Sequence, residues 1–73
     1  MKNFIMQLRK RHRLSQEELA KKVGVTRQAI IDIEKGKYLP NLLLAYKITK
    51  ALHTSLEMLF VFEENQEKPD YIH

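Results

Sequence analysis

The stretch SQEELAKKVGVTRQAIIDIEKGK, from Ser15 to Lys37, determines the fold of this chain. Apolar residues recur in both halves of the stretch at three- and four-residue intervals, which is typical of amphipathic helices. Gly24 divides the halves and can adopt the left-handed conformation that ends a helix. Ala20 is small enough to let a second helix pack closely on the first. The pattern predicts two helices that cross steeply, with these residues facing inward: Leu19, Ala20, Val23, Val25, Ile30 and Ile33.

Capping residues indicate where these two helices begin. Ser15 is a good N-cap, and Glu18 three residues later completes a capping box. Thr26 is the next N-cap, directly after the turn. The sequence therefore predicts one helix over about 16–23 and another over about 27–35.

Three further helices are predicted from caps outside this stretch, at Asn3, Asn41 and Ser55. The first runs to about residue 12, the fourth from 42 to about 52, and the fifth is short and ends at about 60. We expect the basic side chains of the first helix to face solvent, namely Arg9, Lys10, Arg11 and Arg13. The inward face of the fourth helix is expected to consist of Leu42, part of Leu44, Ala45, Ile48 and Leu52.

Length and composition indicate one small all-α domain. We expect 73 residues to form a single domain over 1–62, followed by a polar, acidic tail over 63–73 that frays. There is no cysteine, so disulfides and thiolate metal sites are excluded. No apolar run is long enough to span a membrane, and no cleavable secretory segment is evident, so we expect a cytoplasmic protein.

The charge is distributed unequally along the chain. Residues 1–37 carry ten Lys and Arg against four acids, a balance of +6, whereas residues 38–73 carry three against five, a balance of −2. Basic runs are often only solvated faces. Here the basic half contains the two-helix stretch, which favours a surface that binds DNA phosphates.

Catalytic chemistry has little support in the sequence. His12, His53 and His73 are far apart, and no metal-ligand spacing or glycine-rich phosphate loop is present. A chain this small has no second domain that could hold a ligand pocket. We therefore expect no enzyme activity, no metal, no cofactor and no small-molecule ligand.

The apolar segment MLFVF, from Met58 to Phe62, needs to be covered. One interpretation is that Leu59 and Phe60 complete the core of the same subunit. Another is that Phe60, Val61 and Phe62 continue as a short strand or extended segment, which pairs with the N-terminal residues or packs across a dimer interface. The residues predicted for such an interface are Leu59, Phe60, Val61 and Phe62.

Three motifs, LSQEELAKKVGVTRQAI, IEKGKYLP and LEMLF, resemble the Cro/repressor-type helix-turn-helix regulators known as the Xre family, over about residues 3–60. The chain is especially similar to very small members with five helices, a short C-terminal strand and no ligand domain. The resemblance implies a lambda-repressor-like fold and a homodimer whose third helices enter successive major grooves of an operator. Two positions depart from the family pattern, because Arg13 and His53 stand where relatives commonly have Gly.

If the third helix lies in the major groove, its outer face meets the base edges. Arg27 can donate two hydrogen bonds to guanine, and Gln28 can pair similarly with adenine. Ile31 is either an extra core contact or a contact with a thymine methyl group. Asp32 either accepts from cytosine or supports a neighbouring Arg or Lys, and we favour the supporting role.

The remaining DNA contacts are expected at the phosphate backbone. Helix N-termini and exposed basic or hydroxyl side chains near the groove are suited to this role. Arg9, Arg11 and Arg13 are expected to widen the positive field as solvated charges. The predicted phosphate contacts are Gln16, Thr26, Lys35, Lys37 and Tyr38.

These features favour a sequence-specific transcriptional regulator that binds a two-fold symmetric, double-stranded operator as a homodimer and represses transcription. The alternative is a protein-interaction module, such as an antitoxin or antagonist, which binds its partner through residues 59–62 and for which DNA binding is secondary.

Overall fold

The computed structural model describes residues 2–61, which form the predicted five helices without a sheet. The expected all-α fold is confirmed, and each helix boundary agrees with its prediction to within a residue or two. Phe62 and the predicted tail over 63–73 lie outside the described residues. The helices are α1 (Ile5–Arg11), α2 (Gln16–Val23), α3 (Arg27–Glu34), α4 (Leu42–Ala51) and α5 (Leu56–Leu59).

Side-chain caps fix the start of four of these helices. The Ser15 hydroxyl accepts from the Glu18 N–H at 3.0 Å, and the Glu18 carboxylate accepts from the Ser15 N–H at 2.7 Å, so the capping box is complete. Thr26, Asn41 and Ser55 cap α3, α4 and α5 in the same way. Each cap satisfies a backbone donor that the helix itself leaves unpaired.

Asn3 starts α1 differently and also ties it to α3. The N-cap position is Phe4, which makes no side-chain capping bond. Instead, the Asn3 side-chain oxygen accepts from the Ile5 N–H at 3.1 Å, while its amide Nδ2 donates to the Ile33 carbonyl at 2.9 Å. One side chain thus links the beginning of α1 to the end of α3.

The core lies between α2, α3 and α4, with α1 and α5 closing it. The predicted inward residues of α2 and α3 are buried, and Gly24 has a φ of +80° at the end of α2. A Cβ atom at Gly24 would meet nothing within 4 Å, so conformation rather than space favours glycine there. The core residues are Ile5, Leu19, Ala20, Val23, Ile30, Ile33, Ala45, Ile48, Leu52, Leu59 and Phe60.

The predicted inward position of Leu42 is wrong, because its side chain is 76% exposed. Leu42 lies in the first turn of α4, at the edge of the stripe that Ala45 and Ile48 present to the core. Leu43 and Tyr46, on the adjoining part of the helix surface, are also exposed. The apolar pattern of α4 is therefore wider than its buried face.

The predicted outward position of Arg9 is also wrong. Arg9 is one turn after Ile5 on the inner side of α1, and its side chain is only 8% exposed. Its Nε and Nη2 atoms donate to the two carboxylate oxygens of Glu34, at 2.8 and 3.3 Å, and its Nη1 donates to the Leu14 carbonyl at 2.9 Å. The guanidinium is buried because a paired carboxylate and a carbonyl replace water around it.

Arg13 and His53 adopt the left-handed backbone conformation, with φ values of +58° and +53°. These are the two positions at which the family resemblance led us to expect Gly. A Cβ atom makes this conformation unfavourable by roughly 1–2 kcal/mol, so the turns after α1 and α4 are strained.

The C-terminal end of the described chain pairs with its N-terminal end. The Phe4 N–H donates to the Leu59 carbonyl at 2.8 Å, and the Val61 N–H donates to the Lys2 carbonyl at 2.9 Å. This is an isolated antiparallel bridge between Asn3 and Phe60, and no strand is formed within residues 2–61.

Leu59 and Phe60 belong to the core of the single chain, with exposures of 0% and 4%. The interpretation that they complete the core of the same subunit is therefore confirmed, and the predicted pairing of the segment with the N-terminal residues is confirmed by the Asn3–Phe60 bridge and the Val61–Lys2 bond. Val61 is half-buried and Phe62 lies outside the described residues.

The ion pair between Arg9 and Glu34 generates a stability prediction. Arg9→Met leaves the Glu34 carboxylate buried without its main partner, so we expect the free energy of unfolding to fall by about 3–5 kcal/mol. Urea unfolding followed by circular dichroism measures this. The double variant R9M/E34M, which removes both charges, should regain most of the loss. Exposed Arg11→Met is the control, and a loss in R9M no larger than in R11M contradicts the assignment.

The capping box predicts an acid dependence of stability. The Ser15 N–H bonded to Glu18 lowers the pKa of that carboxyl from its ordinary value of 4.5, and Lys22 adds to the effect. Because the folded pKa is lower than the unfolded one, Glu18 stabilises the fold above about pH 4.5 and loses this contribution as the pH falls through its folded pKa. Urea midpoints measured from pH 6 to pH 3 should therefore fall less in E18Q than in the wild type. A fall in the urea midpoint of E18Q as large as that of the wild type refutes the prediction.

Candidate nucleic-acid interface

A tight turn and a cap hold the N-terminus of α3 against the end of α2. The Gly24 and Val25 N–H groups both donate to the Ala20 carbonyl, at 2.9 and 3.0 Å. Thr26 then caps α3, and its hydroxyl accepts from the Ala29 N–H at 3.1 Å. This hydroxyl keeps its own hydrogen available for a further acceptor, such as a phosphate oxygen.

The four residues predicted to contact bases share the outer side of α3. Arg27 and Gln28 are exposed in its first turn, whereas Ile31 and Asp32 are half-buried one turn later. Ile30 and Ile33 are buried on the opposite side, which fixes the rotation of the helix. The structure thus brings the predicted base-contact residues together on one surface.

Asp32 has a partner different from the one that the sequence suggested. Its Oδ1 accepts from the Gln28 side-chain Nε2 at 3.0 Å, one helical turn away. The supporting role predicted for Asp32 is therefore directed at Gln28 and not at an Arg or Lys. No ion pair to Asp32 is present among residues 2–61.

Gln16 lies at the N-terminus of α2 and is held by the buried ion pair. Its Nε2 donates to the Glu34 Oε1 at 3.1 Å, and Glu34 is fixed in turn by Arg9. The amide nitrogen of Gln16 has a second hydrogen, which can be donated to a phosphate. The Gln16 side chain is therefore oriented within the domain itself.

The loop after α3 has a defined backbone. Gly36 has a φ of +76° and donates its N–H to the Ile33 carbonyl at 2.9 Å, while the Lys37 N–H donates to the Asp32 carbonyl at 2.9 Å. This pair of bonds is a Schellman motif, which satisfies the last carbonyls of the helix. Lys35 and Lys37 therefore flank a rigid turn, and both are exposed, as is Tyr38.

A second basic surface lies in an open groove of about 520 Å³ between the C-terminal parts of α2 and α4. Sequence analysis did not group its four lysines, because they come from two helices. Only the three-residue spacing of Lys47 and Lys50, which puts them on one side of α4, could have indicated part of the group. Lys50 lies over the Tyr46 ring, with its Nζ 5.8 Å from the ring centroid. The lysines are Lys21, Lys22, Lys47 and Lys50.

His12 and His53 are closer in space than their sequence positions suggest. The rings of His12 and His53 are 5.2 Å apart between centroids, at the ends of α1 and α4. Residues 2–61 nevertheless contain no group of three His, Cys, Asp or Glu side chains that could hold a metal ion. Within the same range, no helix has the length and apolar character needed to cross a membrane.

Comparison with known proteins gives matches over nearly the whole described chain. A family model described as helix-turn-helix matches residues 5–59. An HTH-type transcriptional regulator of Methanocaldococcus jannaschii is 52% identical over 66 residues, which cover 90% of this chain and 100% of that protein. The HTH-type transcriptional regulator YgzD of Bacillus subtilis is 53% identical over 64 residues, covering 88% of this chain and 97% of that protein.

Two solved structures are similar in fold and in sequence. The restriction-modification controller protein C.AhdI from Aeromonas hydrophila aligns with a TM-score of 0.71 and 32% identity, over 77% of this chain and 85% of that one. The N-terminal DNA-binding domain of SinR from Bacillus subtilis aligns with a TM-score of 0.66 and 32% identity, over 71% of this chain and 77% of that domain.

Proposed function

Since this chain belongs to the helix-turn-helix family of Xre-type transcriptional regulators, a non-enzymatic class of DNA-binding proteins, we propose that it is a repressor that binds a two-fold symmetric operator as a homodimer. The observation that carries the proposal is the outer face of α3, where Arg27 and Gln28 are exposed beside side chains suited to phosphate contacts. As a regulator of transcription, it is expected to act in the cytoplasm.

In the proposed complex, α3 lies in the major groove and its first turn meets the bases. Arg27 donates to guanine O6 and N7, Gln28 pairs with adenine, and Ile31 packs against a thymine methyl group. Around them, the phosphate contacts come from three places that the fold holds rigid, namely the start of α2, the start of α3 and the turn after α3. These contacts are assigned to Gln16, Thr26, Lys35, Lys37 and Tyr38.

The homodimer needs a surface other than the buried Leu59 and Phe60. Four large apolar side chains are more than half exposed between the loop before α4 and its second turn. An apolar cluster of this kind on a small domain is typical of an interaction site. The cluster follows the loop assigned to phosphate contact along the chain, and we assign it as the surface that a second copy covers. The residues are Leu39, Leu42, Leu43 and Tyr46.

Burial argues against the partner surface that the alternative of a protein-interaction module invoked. That hypothesis assigned partner binding to residues 59–62, and the first two of these are buried in the core. We therefore retain the operator-binding repressor as the proposal.

DNA-binding assays test the proposal through two contrasting variants. Fluorescence anisotropy is measured with DNA upstream of the protein's own gene, and affinity should fall steeply with salt because phosphate contacts release counterions. Arg27→Ala should relax the preference at one base pair by about 1–3 kcal/mol. Lys37→Ala should weaken binding to all sequences alike and reduce the salt slope by about 1.

Salt-insensitive binding, or no binding to any candidate site, would remove the proposed function. Identical effects of R27A and K37A across operator variants would contradict the division into base and phosphate contacts. Exposed Arg11→Ala is a control for the loss of one positive charge outside these contacts.

Substitution of Leu42, the most exposed leucine of the proposed dimer surface, tests the location of that surface. Leu42→Lys places a charge within the proposed interface, so we expect a shift from dimer to monomer in analytical ultracentrifugation, with an unchanged circular dichroism spectrum. Met6→Lys, an exposed apolar residue on α1, should remain dimeric. A monomeric wild type contradicts the homodimer, and a dimeric L42K contradicts this location for it.

A further inference from the structure

The hydrogen bond between Gln28 and Asp32 limits what Gln28 can offer to a base. The two side chains are one turn apart on α3, with the Gln28 Nε2 at 3.0 Å from the Asp32 Oδ1. Gln28 is exposed, while Asp32 is half-buried and its backbone carbonyl is bound by the Lys37 N–H in the turn after α3. The Asp32 carboxylate is therefore attached to a part of α3 whose backbone is fixed, and this carboxylate orients the Gln28 amide.

The chemistry of the pair allows only one orientation of the amide. An ionised carboxylate accepts hydrogen bonds and donates none, so it must face the NH₂ end of Gln28 and not its oxygen. One of the two N–H groups is then occupied. The groups left for DNA are one N–H donor and the Oε1 acceptor.

One donor beside one acceptor matches adenine and not guanine. In the major groove adenine presents N7 as an acceptor and N6–H₂ as a donor, whereas guanine presents two acceptors, N7 and O6. An unrestrained glutamine can direct both of its N–H groups at guanine. Gln28 with one N–H bound to Asp32 cannot do so.

We propose that Asp32 is a positioning residue that makes Gln28 select adenine over guanine. The inference rests on the proposed function, because it requires α3 to lie in the major groove. It adds a discriminating role for a residue that itself touches no base. In this role the Asp32 carboxylate accepts a hydrogen bond from one of the two N–H groups of the Gln28 amide, so that this N–H is not available to a base.

Selection of bound DNA from a random pool tests this role, using the wild type, Q28A, D32A and D32N. Q28A identifies the base pair that Gln28 contacts. At that base pair we expect the wild type to prefer adenine over guanine by about 5- to 150-fold, the range for a good bidentate pair. In D32A this ratio should fall toward 1, while the preferences at all other positions stay unchanged.

D32N sharpens the test, since it keeps the size of the side chain. The amide of an asparagine can donate to the Gln28 Oε1, which leaves both N–H groups of Gln28 free for guanine. Guanine should therefore be enriched at this base pair in D32N relative to the wild type. Thermal unfolding of each variant checks that the domain remains folded at the selection temperature.

Three outcomes overturn the inference. If the wild type and D32A enrich the same motif, Asp32 has no positioning role, although the proposed function stands. If D32A loses a preference at a base pair other than the one identified by Q28A, Asp32 contacts a base directly. If the wild type enriches no motif at all, the proposed function fails and the inference fails with it.

Discussion

The buried ion pair between Arg9 and Glu34 is the interaction on which the arrangement of the helices depends. It joins α1 to the last residue of α3, and through the Leu14 carbonyl it also fixes the turn that leads into α2. Two charged groups in a small core are costly to desolvate, so the loss of one partner alone would leave the other charge buried and destabilise the arrangement. The pair therefore specifies one relative position of three helices.

This pair also connects the core to the surface that we propose binds DNA. Glu34 holds the Gln16 amide at the start of α2, and the neighbouring Ile33 carbonyl accepts from Asn3. At its other end, α3 is fixed by the turn at Gly24 and by the Thr26 cap. A helix held at both ends presents its outer side chains with little freedom, which lowers the entropic cost of binding in a fixed register.

Much of this fold is predictable because its signals are local. Ser15, Thr26 and Asn41 cap helices through bonds to residues three positions away. A short stretch of sequence is therefore enough to predict where these helices begin. Burial of Arg9 was not predictable in this way, since its partner is 25 residues distant and an arginine is ordinarily exposed.

The candidate site was predictable to a similar extent. The outer face of α3 follows from the positions of Ile30 and Ile33, which determine what is left on the other side. The bond from Gln28 to Asp32 was missed, although the four-residue spacing is one at which helical side chains meet. The exposure of Leu42 was not evident from the sequence either, because an apolar residue in a helix can lie in the core or on an exposed apolar surface.

The backbone pairing of Lys2 with Val61 has a consequence for the architecture of larger proteins. The Lys2 carbonyl and the Val61 N–H are 2.9 Å apart, so the chain enters and leaves the described domain at the same place. Adjacent ends allow a compact unit to be inserted into a loop of another protein without disturbing either fold. The described domain therefore has the geometry that such an insertion requires, because residues 2 and 61 lie side by side.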